Sequence, residues 1–257
     1  MRTDRNNGSL YTKIDGKVAT IEFGHPASNS FVSELLDRLT KEFEKLSDNE
    51  EVNLIVLKSE GDRAFCAGAS FDELLAVSTF EEAKTFFSGF AHVINAMRQC
   101  KKIIVGRIHG KTVGGGVGLV AACDYAFANV NASIKLSELS IGIAPLVIAP
   151  AVERKIGVAA LGELSLAPTE WKTAYWAQEK GLFAKVFETT QELDKELDFF
   201  THKLSGYNAE GLMEWKKVLW QNTDHWQSLL TQRAAITGKL ALSEFTKNAL
   251  SKFKNKQ

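Results

Sequence analysis

The sequence is poor in the residues that mark special chemistries. Its three cysteines in 257 residues, Cys66, Cys100 and Cys123, are an odd and widely spaced set with no C-x-x-C. That speaks against a disulfide framework or a zinc knuckle and fits a reducing compartment. The histidines (25, 92, 109, 202 and 225) form no H-E-x-x-H or other metal spacing, so no metal is expected. Proline is scarce, with four residues, and 19 glycines are ordinary usage, so the chain is neither fibrous nor low-complexity. Neither sign of charge is in excess: 31 basic residues balance 31 acidic ones, which leaves no bulk attraction to nucleic acid or an anionic membrane. Long apolar runs are also missing. The longest, residues 141–152, is interrupted by Gly142, Pro145 and Pro150 and falls short of the roughly 20 residues of a membrane span. Residues 1–8 hold no apolar core of the signal-peptide kind, and a cytoplasmic location is expected.

What remains is a chain with 45% apolar and 24% charged residues, long enough to bury a full core. Residues 10–14 and 17–23 flank Asp15-Gly16 and predict a β-hairpin. Phe31, Leu35, Leu36, Leu39, Phe43 and Leu46 recur at helical spacing, and residues 52–58 read as a buried strand. Thr79 with Glu82 forms a capping box ahead of a helix carrying Phe86, Phe87, Phe90, Ile94 and Met97 on one face. Residues 102–108 predict a strand, followed by a glycine cluster that opens a helix to about Cys123, and then short strands at 125–129 and 133–135. Thr169 and Thr189 are candidate helix N-caps, the second with Glu192 three residues on. Beyond about residue 190 the pattern is helical throughout. The expected division is a mixed α/β core over residues 1–190 and a helical region over 191–257. The tryptophans at 215, 220 and 226 in that region serve packing or a subunit contact.

Three segments combine small side chains with accessible backbone. In Phe65-Cys66-Ala67-Gly68-Ala69-Ser70-Phe71, small residues let a ligand approach main-chain N–H groups; a tight turn needing glycine is the alternative. In Gly110-Lys111-Thr112-Val113-Gly114-Gly115-Gly116-Val117-Gly118, glycines at a helix start leave unpaired N–H groups at a positive dipole end. Close helix-to-sheet packing would also use glycines there. In Lys135-Leu136-Ser137-Glu138-Leu139-Ser140-Ile141-Gly142, a carboxylate lies among aliphatic residues, where burial raises its proton affinity and suits it to acid–base work. A salt-bridge or edge position would account for Glu138 equally well. Residues 116–121 also match G-x-G-x-x-A, but the match falls inside a helix and after a hundred residues of other structure. No G-x-S-x-G occurs, which leaves a serine hydrolase without its elbow.

In this order and spacing the three segments resemble the enoyl-CoA hydratase/isomerase (crotonase) family, and the likeness runs over almost the whole chain. The most specific pieces are Phe65-Cys66-Ala67-Gly68-Ala69, Gly114-Gly115-Gly116 with Cys123-Asp124 behind it, and residues 137–145 ending in Ile143-Ala144-Pro145. The resemblance implies an α/β fold, a crotonase-like spiral of ββα units, with a helical C-terminal region that builds homotrimers or hexamers. It implies an acyl-CoA thioester substrate, with coenzyme A entering as part of the substrate and no separate cofactor. By carry-over, the N–H groups of Ala69 and Gly115 form an oxyanion hole, and Glu138 is the acid–base group. Ala27, Ser28, Cys66, Ala67, Gly68, Ser70, Phe71 and Gly114 would line the CoA site, with Phe253 and Lys254 at its adenine end.

Departures from the family pattern bear on the reaction. Hydratases of the family carry a second glutamate shortly after the glycine triplet, where this chain has Gly118. Residues 137–145 resemble those of single-glutamate Δ3,Δ2-enoyl-CoA isomerases of the mitochondrial type. Ser70 stands where an acidic residue is usual. The expectation is therefore isomerisation of an enoyl-CoA. Two alternatives stand beside it: a hydratase drawing a second acid from Asp72 or Glu73, and a CoA-thioester-binding protein with weak catalysis.

Overall fold

The computed structural model describes the backbone of residues 7–254 and the side chains of residues 7–252. The chain opens with β1 (Ser9–Asp15), β2 (Val18–Gly24), α1 (Ser33–Ser47) and β3 (Leu54–Ser59). It continues through β4 (Ala64–Cys66), α2 (Phe71–Ala76), α3 (Phe80–Gln99), β5 (Ile103–Ile108), β6 (Lys111–Val113) and α4 (Gly115–Ala122). Next come β7 (Tyr125–Asn129), β8 (Ser133–Lys135), a 3₁₀ turn (Glu138–Ile141) and α5 (Ala149–Leu166). The rest is β9 (Lys172–Thr173), α6 (Ala174–Glu179), β10 (Lys185–Phe187), α7 (Thr190–Ser205), α8 (Ala209–Leu219), α9 (Trp226–Ala241) and α10 (Glu244–Lys254).

The strands divide between a six-stranded sheet in the order β1-β2-β3-β5-β7-β10 and a four-stranded sheet in the order β4-β6-β8-β9. Three times in succession the chain lays one strand in the large sheet, the next in the small sheet, and then turns into a helix: β3 and β4, β5 and β6, β7 and β8. That repetition is a spiral of ββα units. Apart from the β1–β2 hairpin, the large sheet is parallel. Both faces of its central strands are buried, as parallel sheets require. Ile55, Leu57 and Ile104 face the main core, whereas Leu54, Val56, Ile103, Val105 and Phe127 form a second cluster with Leu193 and Leu197 of α7.

No strand follows Phe187 among the described residues, and the helices beyond it pack on the spiral. Gly238 of α9 lets that helix approach α3 closely: a Cβ there would lie 3.0 Å from the Lys84 nitrogen. Asp124 ties down α8 and the turn after it. Its carboxylate accepts from Ile104 N at 2.7 Å and Trp220 Nε1 at 2.6 Å and pairs with Lys216 Nζ at 3.0 Å. Trp220 and Trp226 are buried edge to face, and Trp215 is exposed. No helix among the described residues is long and apolar enough to cross a membrane.

The structure departs from the sequence reading at several points. The hairpin turns at Gly16-Lys17, one residue later than expected, because Asp15 already pairs with Val18; Gly16 carries the positive φ of 54° that a two-residue turn needs. Thr169 caps no helix. Thr173 does so instead, accepting from Trp176 N at 3.1 Å to start α6. Strands β4, β6, β9 and β10 were not expected. Both capping boxes, at Thr79 and Thr189, are present.

Candidate active site

Strands β4, β6 and β8 are parallel neighbours, and register sets Cys66 beside Thr112 and Thr112 beside Ile134. All three strands therefore end level, and the segments that follow them leave from the same edge. Carboxyl ends of adjacent parallel strands are where open α/β folds place ligands. Here they bring together the segments around Ala69, Gly115 and Glu138.

After β4 the chain passes through Gly68, whose φ of +92° favours glycine. A parallel bridge pairs Phe31 with Ala69: Phe31 N donates to Gly68 O at 2.8 Å, and Ser70 N donates to Phe31 O at 2.7 Å. Along an extended chain successive N–H groups alternate in direction, so the Ala69 N–H points away from Phe31. Ser70 Oγ accepts from Glu73 N at 3.3 Å and caps α2. Gly114, with a φ of +54°, donates to Lys135 O at 3.0 Å and turns the chain into α4. Gly115 is the first residue of that helix, so its N–H has no intrahelical acceptor. Ala69 and Gly115 are both partly exposed, whereas their neighbours Gly68, Ser70, Gly114 and Gly116 are buried. A Cβ on Gly68 would stand 3.9 Å from the Gly115 nitrogen, so the two segments are adjacent.

Glu138 heads the 3₁₀ turn, which Ser140 Oγ steadies by donating to Ser137 O at 2.6 Å and which Gly142 closes with a φ of +83°. Its carboxyl lies against Gly114: a Cβ there would be 3.0 Å from Oε1. The residue as a whole is partly exposed, but Oε2 is buried with no hydrogen-bond partner. Burial without a cation pushes its pKa from 4.5 up to about 7. An acid that changes charge near neutrality thus stands against Gly114, one residue before the first N–H of α4. Helix α10 presses on the same turn, because a Cβ on Gly142 would meet Phe245 Cδ1 at 2.5 Å and Thr246 Oγ1 at 2.6 Å.

The remaining expected site residues fall into different places. Ala27, Ser28 and Ala67 are exposed, and Ala67 N donates to Ser28 O at 3.1 Å, lacing the two loops together. Ser28 also borders a surface cavity of about 520 Å³ with Tyr11, His25, Pro26 and Arg63; the cavity does not include Glu138. Phe71 is half-buried at the start of α2. Cys66 is fully buried and faces inward from β4. The side chains of Phe253 and Lys254 lie outside the described residues. No group of three His, Cys, Asp or Glu side chains suited to a metal occurs among the described residues.

Three features of the site were not anticipated. Phe90 packs against Gly115, its Cε1 only 2.2 Å from where a Cβ would be, so the first donor of α4 must be glycine. Ile148 fills the space beside Gly118, with its Cγ2 2.4 Å from a Cβ built there. Glu73 is held at the start of α1, accepting from Ser33 N at 2.9 Å and Ser33 Oγ at 2.7 Å, and Asp72 is exposed. The aromatic pattern of α3 marked Phe90 as inward-facing; nothing in the sequence signalled the other two contacts.

Fold and site together define a class: a ββα spiral in which a carboxyl with one buried oxygen lies against Gly114 at the ends of the parallel strands β4, β6 and β8. Residues 13–257 match the profile of the enoyl-CoA hydratase/isomerase family, and the chain belongs to that family. The peroxisomal Δ(3,5)-Δ(2,4)-dienoyl-CoA isomerase of Arabidopsis thaliana is 28% identical over 70% of this chain and 68% of its own. A probable enoyl-CoA hydratase of Bacillus subtilis is 29% identical over 51% of each chain, so the match spans about half the length of that relative. The crystal structure of enoyl-CoA hydratase from Bacillus halodurans superposes with a TM-score of 0.88, covering 95% of this chain and 99% of that one at 21% identity. That likeness establishes the crotonase fold.

Proposed function

We propose that this protein shifts the double bond of an enoyl-CoA thioester through an enolate. The thioester oxygen would take the N–H groups of Ala69 and Gly115. The Glu138 carboxylate would remove a proton from C2 of a 3-enoyl-CoA, and the electron pair would pass into the carbonyl oxygen. Delivering a proton from the same carboxyl to C4, after that acid has had time to exchange with solvent, gives the 2-enoyl-CoA and restores the carboxylate. Each main-chain donor of this type is worth about 2.7–4 kcal/mol of barrier. Names of relatives that include both isomerases and hydratases support an acyl-CoA substrate.

The observation that favours isomerisation over hydration is that, among the described residues, neither expected position supplies a second acid beside Glu138. Ile148 occupies the space next to Gly118, and Ser33 holds Glu73. One carboxylate suffices to move a proton between two carbons, whereas adding water benefits from two. Assembly into trimers or paired trimers belongs to the same proposal, and exposed Val158 and Leu166 of α5 and Tyr175 of α6 are side chains such an interface would cover. A cytoplasmic location accords with three unpaired, buried thiols.

A panel of CoA thioesters in heavy water tests the enolate first, by deuterium uptake at the acyl chain. The isomerase reading expects exchange and conversion of 3-enoyl- to 2-enoyl-CoA, both abolished in Glu138→Gln. Rapid loss of the conjugated absorbance of a 2-enoyl-CoA would make the protein a hydratase. CoA binding with no exchange on any thioester would make it a binding protein.

A further inference from the structure

The N–H groups of Ala69 and Gly115 follow two different strands, so their separation depends on what lies between those strands. Cys66, the last residue of β4, has no solvent exposure. On one side its Sγ accepts the N–H of Gly68 at 3.3 Å, one residue before Ala69. On the other, its Cβ and Sγ lie 2.7 and 2.8 Å from the point that a Cβ on Gly116 would occupy, one residue after Gly115. A single buried side chain therefore touches both segments, and Gly116 makes room for it. Burial also pushes the thiol up to about 12, so it stays protonated and contributes no charge.

We propose that Cys66 is a positioning residue: wedged between Gly68 and Gly116, it sets the separation and aim of the Ala69 and Gly115 N–H groups without touching substrate. The inference rests on the reading in which those two groups bind the thioester oxygen. It gives Cys66 a role different from the one expected of it at the CoA site, since a side chain with no exposed face has none to offer a nucleotide. Sulfur suits the position because it is large enough to fill the gap and can accept a hydrogen bond from a peptide N–H.

Three variants separate these properties: Cys66→Ser keeps an acceptor, Cys66→Val fills space without one, and Cys66→Ala does neither. Two readouts apply, the kcat and KM for deuterium exchange and the infrared carbonyl stretch of a bound, unreactive acyl-CoA. Thermal melts confirm that each variant is folded. Misplaced donors should lower kcat in Cys66→Ala by about 10- to 100-fold. KM should stay within about twofold, as expected when the lost contacts are far stronger in the transition state than in the bound substrate. The carbonyl red shift should shrink in parallel, and Cys66→Ser should recover much of both. Wild-type kcat and carbonyl shift in Cys66→Ala and Cys66→Val would overturn the proposal. So would a rise in KM alone, which would return Cys66 to a CoA contact. If the wild type itself shows neither exchange nor a red shift, the enolate reading fails and takes this one with it. Wild-type exchange with undisturbed variants defeats the positioning role alone.

Discussion

Replacing Glu138 by glutamine removes a carboxylate that the fold buries without a cation, and the effect on stability should depend on pH in a definite way. In the unfolded chain this carboxyl titrates near 4.5, whereas burial lifts it to about 7 in the folded protein. Between those values the folded state keeps a proton that the unfolded chain has released. The stability this contributes is complete below 4.5, is lost progressively as pH rises, and is gone above about 7. At about 1.4 kcal/mol per pH unit, the loss across that interval is at most about 3.5 kcal/mol. The glutamine variant has no such loss. Urea unfolding at pH 5 and pH 8.5 should therefore find Glu138→Gln gaining on the wild type by about 2 kcal/mol between the two conditions. Taking the difference between the two proteins cancels other titrations, including that of His109, which burial pushes down to about 4. A stability difference that is the same at both pH values, or that moves in favour of the wild type at pH 8.5, would refute the argument that this carboxyl is buried without a cation.

Other outcomes follow from the same contacts. If Glu138 is the base, kcat/KM for isomerisation should rise with pH and level off, with a midpoint near its pKa of about 7, measured by product absorbance across a pH series. Gly118→Ala places a methyl group 2.4 Å from Ile148 Cγ2, and such overpacking costs about 1–3 kcal/mol in a denaturant midpoint. Adding Ile148→Ala should recover part of that loss. Asp124→Ala leaves Lys216 buried without its partner and should destabilise by about 3–5 kcal/mol, while Lys216→Met should cost less.

Legibility in the sequence followed the range of the interactions. The first hairpin, the amphipathic α1, both capping boxes and the glycine entry to α4 are local patterns, and each can be read from a short window. Glu138 stood out because a carboxylate among aliphatic residues is chemically conspicuous. Strands such as β4, β6 and β9, of two or three residues, are too short to show any alternation, so of the small sheet that aligns the site only β8 could be read. Thr169 and Thr173 are equally good caps by residue type; only pairing of Lys172 and Thr173 with β8 decides between them. The contacts of Ile148 with Gly118 and of Glu73 with Ser33 join residues 30 and 40 positions apart, which no periodicity reports.

In the proposed mechanism the groups opposite Glu138 belong to the peptide backbone, and this shapes what mutagenesis can see. A scan that trims side chains one at a time would flag a solitary acid and pass over its opposite numbers, because swapping one residue for another leaves the amide in place. Their influence would surface only indirectly, through neighbours such as Phe90 that hold the main chain still. Replacing the amide at residue 69 or 115 with an ester, by chemical synthesis or codon reassignment, is the substitution that reaches those atoms directly.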